Sequence, residues 1–141
     1  MAESKVDVLM RIAEANLAKA NKRFKDSEFD SAVFHASIAV ETAANAMIIQ
    51  LGGQEARNHR AISGLAAVLR RVKPELLQKL EYRQLIEKGR DIQREVVYTR
   101  YPVSIEGKWV APMEYYSREK ALMVIENARF VFAIIKKYLE Q

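Results

Sequence analysis

The chain has 141 residues, no cysteine, two histidines, and 23 basic against 18 acidic side chains, for a net charge of +5. That composition excludes disulfide frameworks, thiolate nucleophiles and the common cysteine or histidine zinc sites, and its positive excess favours an anionic partner. A chain of this size buries roughly two-thirds of its unfolded surface, so residues 1–141 are expected to fold as a single domain without a metal or cofactor.

The first residues, Met-Ala-Glu-Ser-Lys-Val-Asp, are polar and carry no apolar signal-peptide core, which predicts a cytoplasmic protein. From about Ser4 to Asp26, Leu9, Ile12, Asn16, Leu17, Ala20 and Phe24 recur at helical spacing. A polar break follows, and Ser27 or Asp30 is suited to cap the next helix. The second segment, about Phe29 to Leu51, is apolar almost all round, as a central bundle helix or a membrane span would be. His35, Glu41 and Asn45 interrupt it, and an ionised glutamate argues against a membrane. Gly52-Gly53 ends it.

A short helix is expected from about Arg60 to Val72. Pro74 suits the first turn of a fourth helix, expected to reach about Tyr98 and to bury Leu77, Leu85, Ile92 and Val96. The last helix, about Ser117 to Leu139, carries a stripe of Ala121, Ile125, Ala128, Phe132, Ile135 and Leu139. Four long helices of five to seven turns predict an all-α, up-and-down four-helix bundle with one additional short helix. No strand is predicted. The segment from Thr99 to Tyr116 reads as a loop, and loops of that length usually have a function. Its aromatics, Tyr101, Trp109, Tyr115 and Tyr116, either pin it to the bundle or bind a ligand.

The stretch Arg90 to Pro102, Arg-Asp-Ile-Gln-Arg-Glu-Val-Val-Tyr-Thr-Arg-Tyr-Pro, carries the strongest chemical signal. Arg90 and Arg94 are four apart and leave one helix face, and Tyr98 continues that stripe. Arg100 and Tyr101 follow just before a proline. Arginine forks match phosphate oxygens, so Arg90, Arg94, Arg100, Tyr98 and Tyr101 are the candidate phosphate- or nucleotide-binding residues. The competing reading pairs these arginines with Glu87, Asp91 and Glu95 on a solvated face. Glu41, on the most apolar helix, needs a partner. Arginines of the fourth helix are candidates, either in a structural ion pair or with Glu41 orienting Arg90 or Arg94. His35 reads as a satisfied core or dimer-interface histidine. His59, in Arg57-Asn58-His59-Arg60, either contacts phosphate or caps the short helix.

The order of motifs resembles the HEPN domain, the nucleotide-binding domain of higher eukaryotes and prokaryotes. Phe29-Asp30-Ser31-Ala32 and Ala39-Val40-Glu41 match its aromatic-Asp-x-Ala start and Ala-Val-Glu triplet. His59 stands where many members place a histidine, and Arg100-Tyr101-Pro102 resembles the ending of the branch associated with small nucleotidyltransferases. The resemblance implies a helical bundle forming homodimers that binds nucleotide or single-stranded RNA beside a nucleotidyltransferase, as half of a toxin–antitoxin pair. One group of the family consists of metal-independent ribonucleases with an Arg-x(4–6)-His motif. Here the corresponding positions are Thr99, Arg100 and Tyr101 after Arg94, and Glu95, Val96 and Val97 after Arg90. None is histidine, which leaves a divergent ribonuclease or a purely structural helical partner as alternatives to a binding module.

Overall fold

Residues 2–141 are described by a computed structural model. Six α-helices and one small hairpin follow in chain order: α1 Lys5–Lys25, α2 Phe29–Gln50, α3 Ala61–Val72, α4 Leu80–Glu95, β1 Val103–Ile105, β2 Lys108–Val110, α5 Pro112–Tyr115 and α6 Arg118–Leu139. α1, α2, α4 and α6 each pack on two neighbours around a closed ring. α2 lies deepest, since it also touches α6 across the bundle and carries α3 on its flank.

Small side chains let α2 occupy that place. Ala32, Ala36, Ala39 and Ala43 recur at steps of four and three, and all are wholly buried. Ala13 and Ala20 of α1 and Ala121 and Ala128 of α6 are wholly buried too, so backbones approach closely where larger residues would hold them apart. Met47, Ile48, Leu65, Leu85, Ile125 and Ile135 fill the remaining volume. α2 is long and apolar enough to cross a membrane, yet 67% of its most apolar window is buried inside the protein. Its lack of a polar face is therefore explained by a bundle core.

Helix ends follow local chemistry. Ser4 accepts from Asp7 N–H at 3.1 Å, and Ser117 accepts from Lys120 N–H at 3.1 Å, each satisfying a free first-turn donor. α2 departs from expectation. Neither Ser27 nor Asp30 caps it: the position falls to Glu28 with no side-chain bond, while Ser27 takes a left-handed conformation (φ 59°) within the tight turn. At the other end of α2, Gly52 takes φ 86° and Gly53 N–H donates back to Ile48 O at 2.9 Å, a glycine-terminated helix stop. Buried Asn45 then pins the outgoing chain. Its carboxamide receives Ala56 N–H at 2.9 Å and donates to Ala56 O at 3.4 Å.

The fourth helix differs from the single run expected between Pro74 and Tyr98. Pro74–Gln78 forms a separate 3₁₀ turn, Lys79 is extended (ψ 133°), α4 begins at Leu80, and a second 3₁₀ turn spans Val97–Thr99. Burial of Leu76 anchors the first turn against the core, and Arg83 donates to Gln78 O at 3.2 Å across the break. With 16 residues, α4 has about four and a half turns, fewer than expected. On α1, Ile12 is 43% exposed and Ala13 takes the inward position, because close contact with α2 leaves room only for a methyl group.

The expected loop before α6 contains the hairpin. Val103 pairs with Val110, Ser104 with Trp109 and Ile105 with Lys108. Glu106 (φ 51°) and Gly107 (φ 78°) form the two-residue turn, and positive φ at both positions matches the twist of the strands.

Candidate functional site

α4 presents its charge as one stripe. Arg83, Glu87, Arg90 and Arg94 are spaced four, three and four apart, which keeps them on one face of a helix. Opposite them α3 contributes Ala66 and, one turn on, Arg70. The two helices enclose an open groove of about 430 Å³, with four arginines and one glutamate on its rim and Ala66, Leu77 and Ile86 on its floor. No aromatic, hydroxyl or carboxamide side chain lines it.

Gly89 sets the width. A Cβ built at this position would lie 2.5 Å from Ile62 Cδ1 and 2.8 Å from its Cγ1, so α3 and α4 meet at a distance only glycine permits. Gln93, one turn further along α4, accepts from Ile62 N–H at 3.2 Å and donates to Ser63 Oγ at 3.5 Å. Both contacts fall on the first turn of α3, so Gly89 and Gln93, and with them Arg90 and Arg94, lie near its beginning.

Of the five residues expected to bind phosphate, Arg90 and Arg94 line this groove. Arg94 also forms an ion pair with Asp91 at 3.0 Å, with both side chains more than half exposed, a contact worth less than about 1 kcal/mol. Arg90 has no hydrogen bond or ion pair to any described residue. Tyr98 lies in a second groove, between α4 and α6, of about 380 Å³, which it shares with Asp91, Arg94, Lys120 and Asn127. Its ring meets Tyr115 at 5.5 Å. Arg100 turns away to stack over the Phe34 ring of α2 at 5.1 Å, a cation–π contact, and Tyr101 is 60% exposed. The five do not converge on one point. Arg70 and Arg83 were missing from the sequence reading. Arg83 was legible from its spacing to Arg90, whereas Arg70 enters only because α3 folds against α4.

The loop aromatics divide the same way. Tyr116 is buried and donates to Glu95 Oε2 at 2.7 Å. Burial, with the Glu95 carboxylate second, pushes its phenol far above the usual tyrosine range. Lys120 approaches Glu95 at 3.7 Å and hydrogen-bonds the Tyr115 hydroxyl. Glu95 is thus engaged by Tyr116, which follows α5, and by Lys120 of α6, and is not a partner of the arginine stripe. Trp109, by contrast, is 78% exposed and pins nothing.

Glu41 also has a partner other than the expected one. His59 Nδ1 lies 2.9 Å from its Oε2, and no arginine of α4 reaches it, because the stripe faces α3 and the solvent side of the bundle. Asn58 and His59 both adopt left-handed backbone conformations (φ 58° and 60°), at a cost of about 1 kcal/mol each. His59 caps nothing: the residue preceding α3 at its N-cap is Arg60, and it makes no side-chain capping bond. His35 faces Asn16 Oδ1 at 3.0 Å. Burial, then the nearby charges of Lys19 and Arg23, hold its pKa below the ordinary histidine value. Among the described residues no three acidic or histidine side chains gather as a metal ligand set.

Known proteins agree with this architecture. The model of the HEPN domain family matches residues 6–138. A Methanocaldococcus jannaschii protein described as "Putative toxin MJ1304" is 28% identical over 134 residues, covering 95% of this chain and 88% of its own length. The crystal structure of TT1696 from Thermus thermophilus superposes with a TM-score of 0.75 at 23% identity, covering 96% of this chain and 98% of that one, which is a likeness of fold. With the family match extending over nearly the entire bundle, this chain belongs to the HEPN domain family.

Proposed function

We propose that this HEPN domain binds single-stranded RNA, or the phosphates of a nucleotide, through the α3–α4 groove. In this reading it acts as a homodimer beside a nucleotidyltransferase, in a toxin–antitoxin pair. The observation that carries the reading is the grouping of Arg70, Arg83, Arg90 and Arg94 around one groove with a single opposing carboxylate, Glu87. From Arg83 to Arg94 the stripe extends about 16 Å along α4, enough for several successive phosphates of an extended strand. The floor is aliphatic and lacks groups that would read a base edge, so recognition rests on the backbone and is tolerant of sequence. Similarity to the relative described as a "Putative toxin" supports the toxin side of such a pair.

Titration of a labelled single-stranded RNA at increasing salt tests this. Each phosphate contact contributes about 0.7 to the slope of log K against log salt for single strands, so four contacts give a slope near −2.8 and roughly fifty-fold weaker binding between 50 and 200 mM. Arg83→Ala and Arg90→Ala should each reduce the slope by about 0.7. Binding that ignores salt, or an unchanged slope in both variants, refutes the groove as the phosphate site. Absence of binding, with the same arginines needed to capture a purified nucleotidyltransferase, would assign the groove to an acidic protein surface.

A further inference from the structure

A second basic groove, of about 370 Å³, lies between α1 and α6. Asn21, Phe24 and Lys25 line it from α1, and Arg118, Leu122, Ile125 and Arg129 from α6. The α6 residues are spaced four, three and four apart, so they form one stripe along the helix, with an arginine at each end and two aliphatic side chains between. We propose that this groove docks an acidic amphipathic helix of a partner protein, with its carboxylates held at the two ends and its aliphatic side chains over the middle. The groove shares no residue with the one between α3 and α4, so the inference stands apart from the RNA-binding reading.

Three cations line this groove and no carboxylate does. Lys25, Arg118 and Arg129 form no ion pair with any described residue, although Glu126 stands only one turn before Arg129 on α6. Uncharged partners hold both arginines instead. The Arg118 guanidinium stacks over the Phe24 ring at 4.7 Å, and Arg129 donates to the Asn21 carboxamide oxygen. Each keeps further N–H donors for an oxyanion, and a carboxylate takes two of them at once. Side chains ordered before a partner arrives lose less entropy when it binds. Between the arginines, Ile125 is buried while Leu122 is 37% exposed, which leaves an aliphatic side chain partly in water. Covering it with another apolar group is favourable.

The spacing of the charges selects the occupant. From Arg118 to Arg129 the stripe rises about 16 Å, with no cation of α6 facing the groove between them. A nucleic-acid strand carries a charge at every nucleotide, so phosphates lying over Leu122 would meet an apolar floor. The α3–α4 groove differs, because Arg90 and Arg94 stand one turn apart there. A helix laid along the α1–α6 groove has the same rise per residue as α6. Glutamates eleven residues apart on it therefore reach both arginines, and leucines four and seven residues after the first glutamate fall between them. That is the anchor pattern of a helix seated in a groove. Lys25, next in the chain to Phe24, adds a second positive charge towards the Arg118 end.

The test titrates the full chain into a fluorescein-labelled, alanine-based helical peptide that carries this Glu-x3-Leu-x2-Leu-x3-Glu pattern, and follows anisotropy. Saturable binding is expected, and a scrambled peptide of the same composition and charge should bind at least about tenfold more weakly, because only the ordered peptide matches the stripe. Arg118→Gln and Arg129→Gln should each weaken binding about three- to fivefold, the effect of losing one exposed ion pair. Leu122→Glu should abolish it by setting a like charge against the peptide. Circular dichroism should show all three variants folded, since each changes an exposed or partly exposed side chain. Arg90→Ala, in the other groove, should leave peptide affinity unchanged. Equal binding of the scrambled peptide would reduce the contact to bulk charge and overturn the proposal. Absence of binding by the wild type, or affinity that survives Leu122→Glu, would overturn it too. An affinity for single-stranded RNA that falls in Arg118→Gln and Arg129→Gln would assign the groove to nucleic acid and refute the protein partner.

Discussion

Gly89→Ala changes one hydrogen for a methyl group in the wall between α3 and α4. On an exposed helix this substitution stabilises by about 1 kcal/mol. Here the new Cβ would fall 2.5, 2.8 and 3.1 Å from Cδ1, Cγ1 and Cγ2 of Ile62, well inside the roughly 3.5–4.0 Å of a relaxed carbon contact. Ile62 is 1% exposed and both branches at its Cβ are involved, so turning χ1 exchanges one clash for another. The helices must part instead. Overpacking of this kind costs about 1–3 kcal/mol, and with no side chain free to yield the upper end applies, leaving a net loss of about 2 kcal/mol after the propensity gain. Urea unfolding followed by circular dichroism should show a lower midpoint at constant m-value. Ile62→Val removes the closest atom and costs about 0.5–1.5 kcal/mol alone, so the double variant should be less destabilised than the two single losses added. A midpoint that rises or stays unchanged in Gly89→Ala would refute the close approach that shapes the groove.

Two further outcomes follow from the polar contacts. Tyr116→Phe removes the hydrogen bond to Glu95 and should destabilise the fold by about 1.5–3 kcal/mol, the range for a bond to a charged group, as read from denaturant midpoints. Because burial and Glu95 raise the Tyr116 pKa in the folded protein, its contribution is complete below about pH 10, the unfolded tyrosine value, and declines above it as the unfolded chain ionises first. Wild type should therefore lose stability above that pH more steeply than Tyr116→Phe. His35 has the opposite sign of dependence. Its folded pKa is depressed by burial, Lys19 and Arg23, so its contribution is present above about pH 6.5 and is lost as pH falls through the folded value. An NMR titration should place its midpoint below that of a model histidine. A midpoint at or above the model value would contradict the packing at Asn16.

Much of the helical framework was legible because it is written as periodicity. The alanine-rich, nearly all-apolar run of α2 has no alternative to a central position, and the stripe of α6 from Ala121 to Ile135 names its own buried face. The serine cap at Ser117 and the Gly52-Gly53 stop act within one turn of chain, so they read directly. The hairpin at Val103–Val110 was missed because each strand has only three residues, too few for alternation to register, and because Glu-Gly is a weaker turn signal than Asn-Gly. The break at Lys79 was hidden as well, since burial of Leu76, a tertiary event, ends the 3₁₀ turn.

At the site the division falls between neighbours on one helix and neighbours across helices. Spacing along the chain determined that Arg83, Arg90 and Arg94 share a face, because about 3.6 residues per turn leave no choice. It could not determine what stands opposite. That Arg70 completes the groove, that Arg100 is drawn to Phe34, that Glu95 belongs to Tyr116, and that Glu41 meets His59 are decisions of the packed bundle. Each joins residues from different elements, and each depends on an interhelical distance set by side chains such as Gly89 and Ile62. Local sequence specifies the faces of helices; only the packing of those faces brings their charges together.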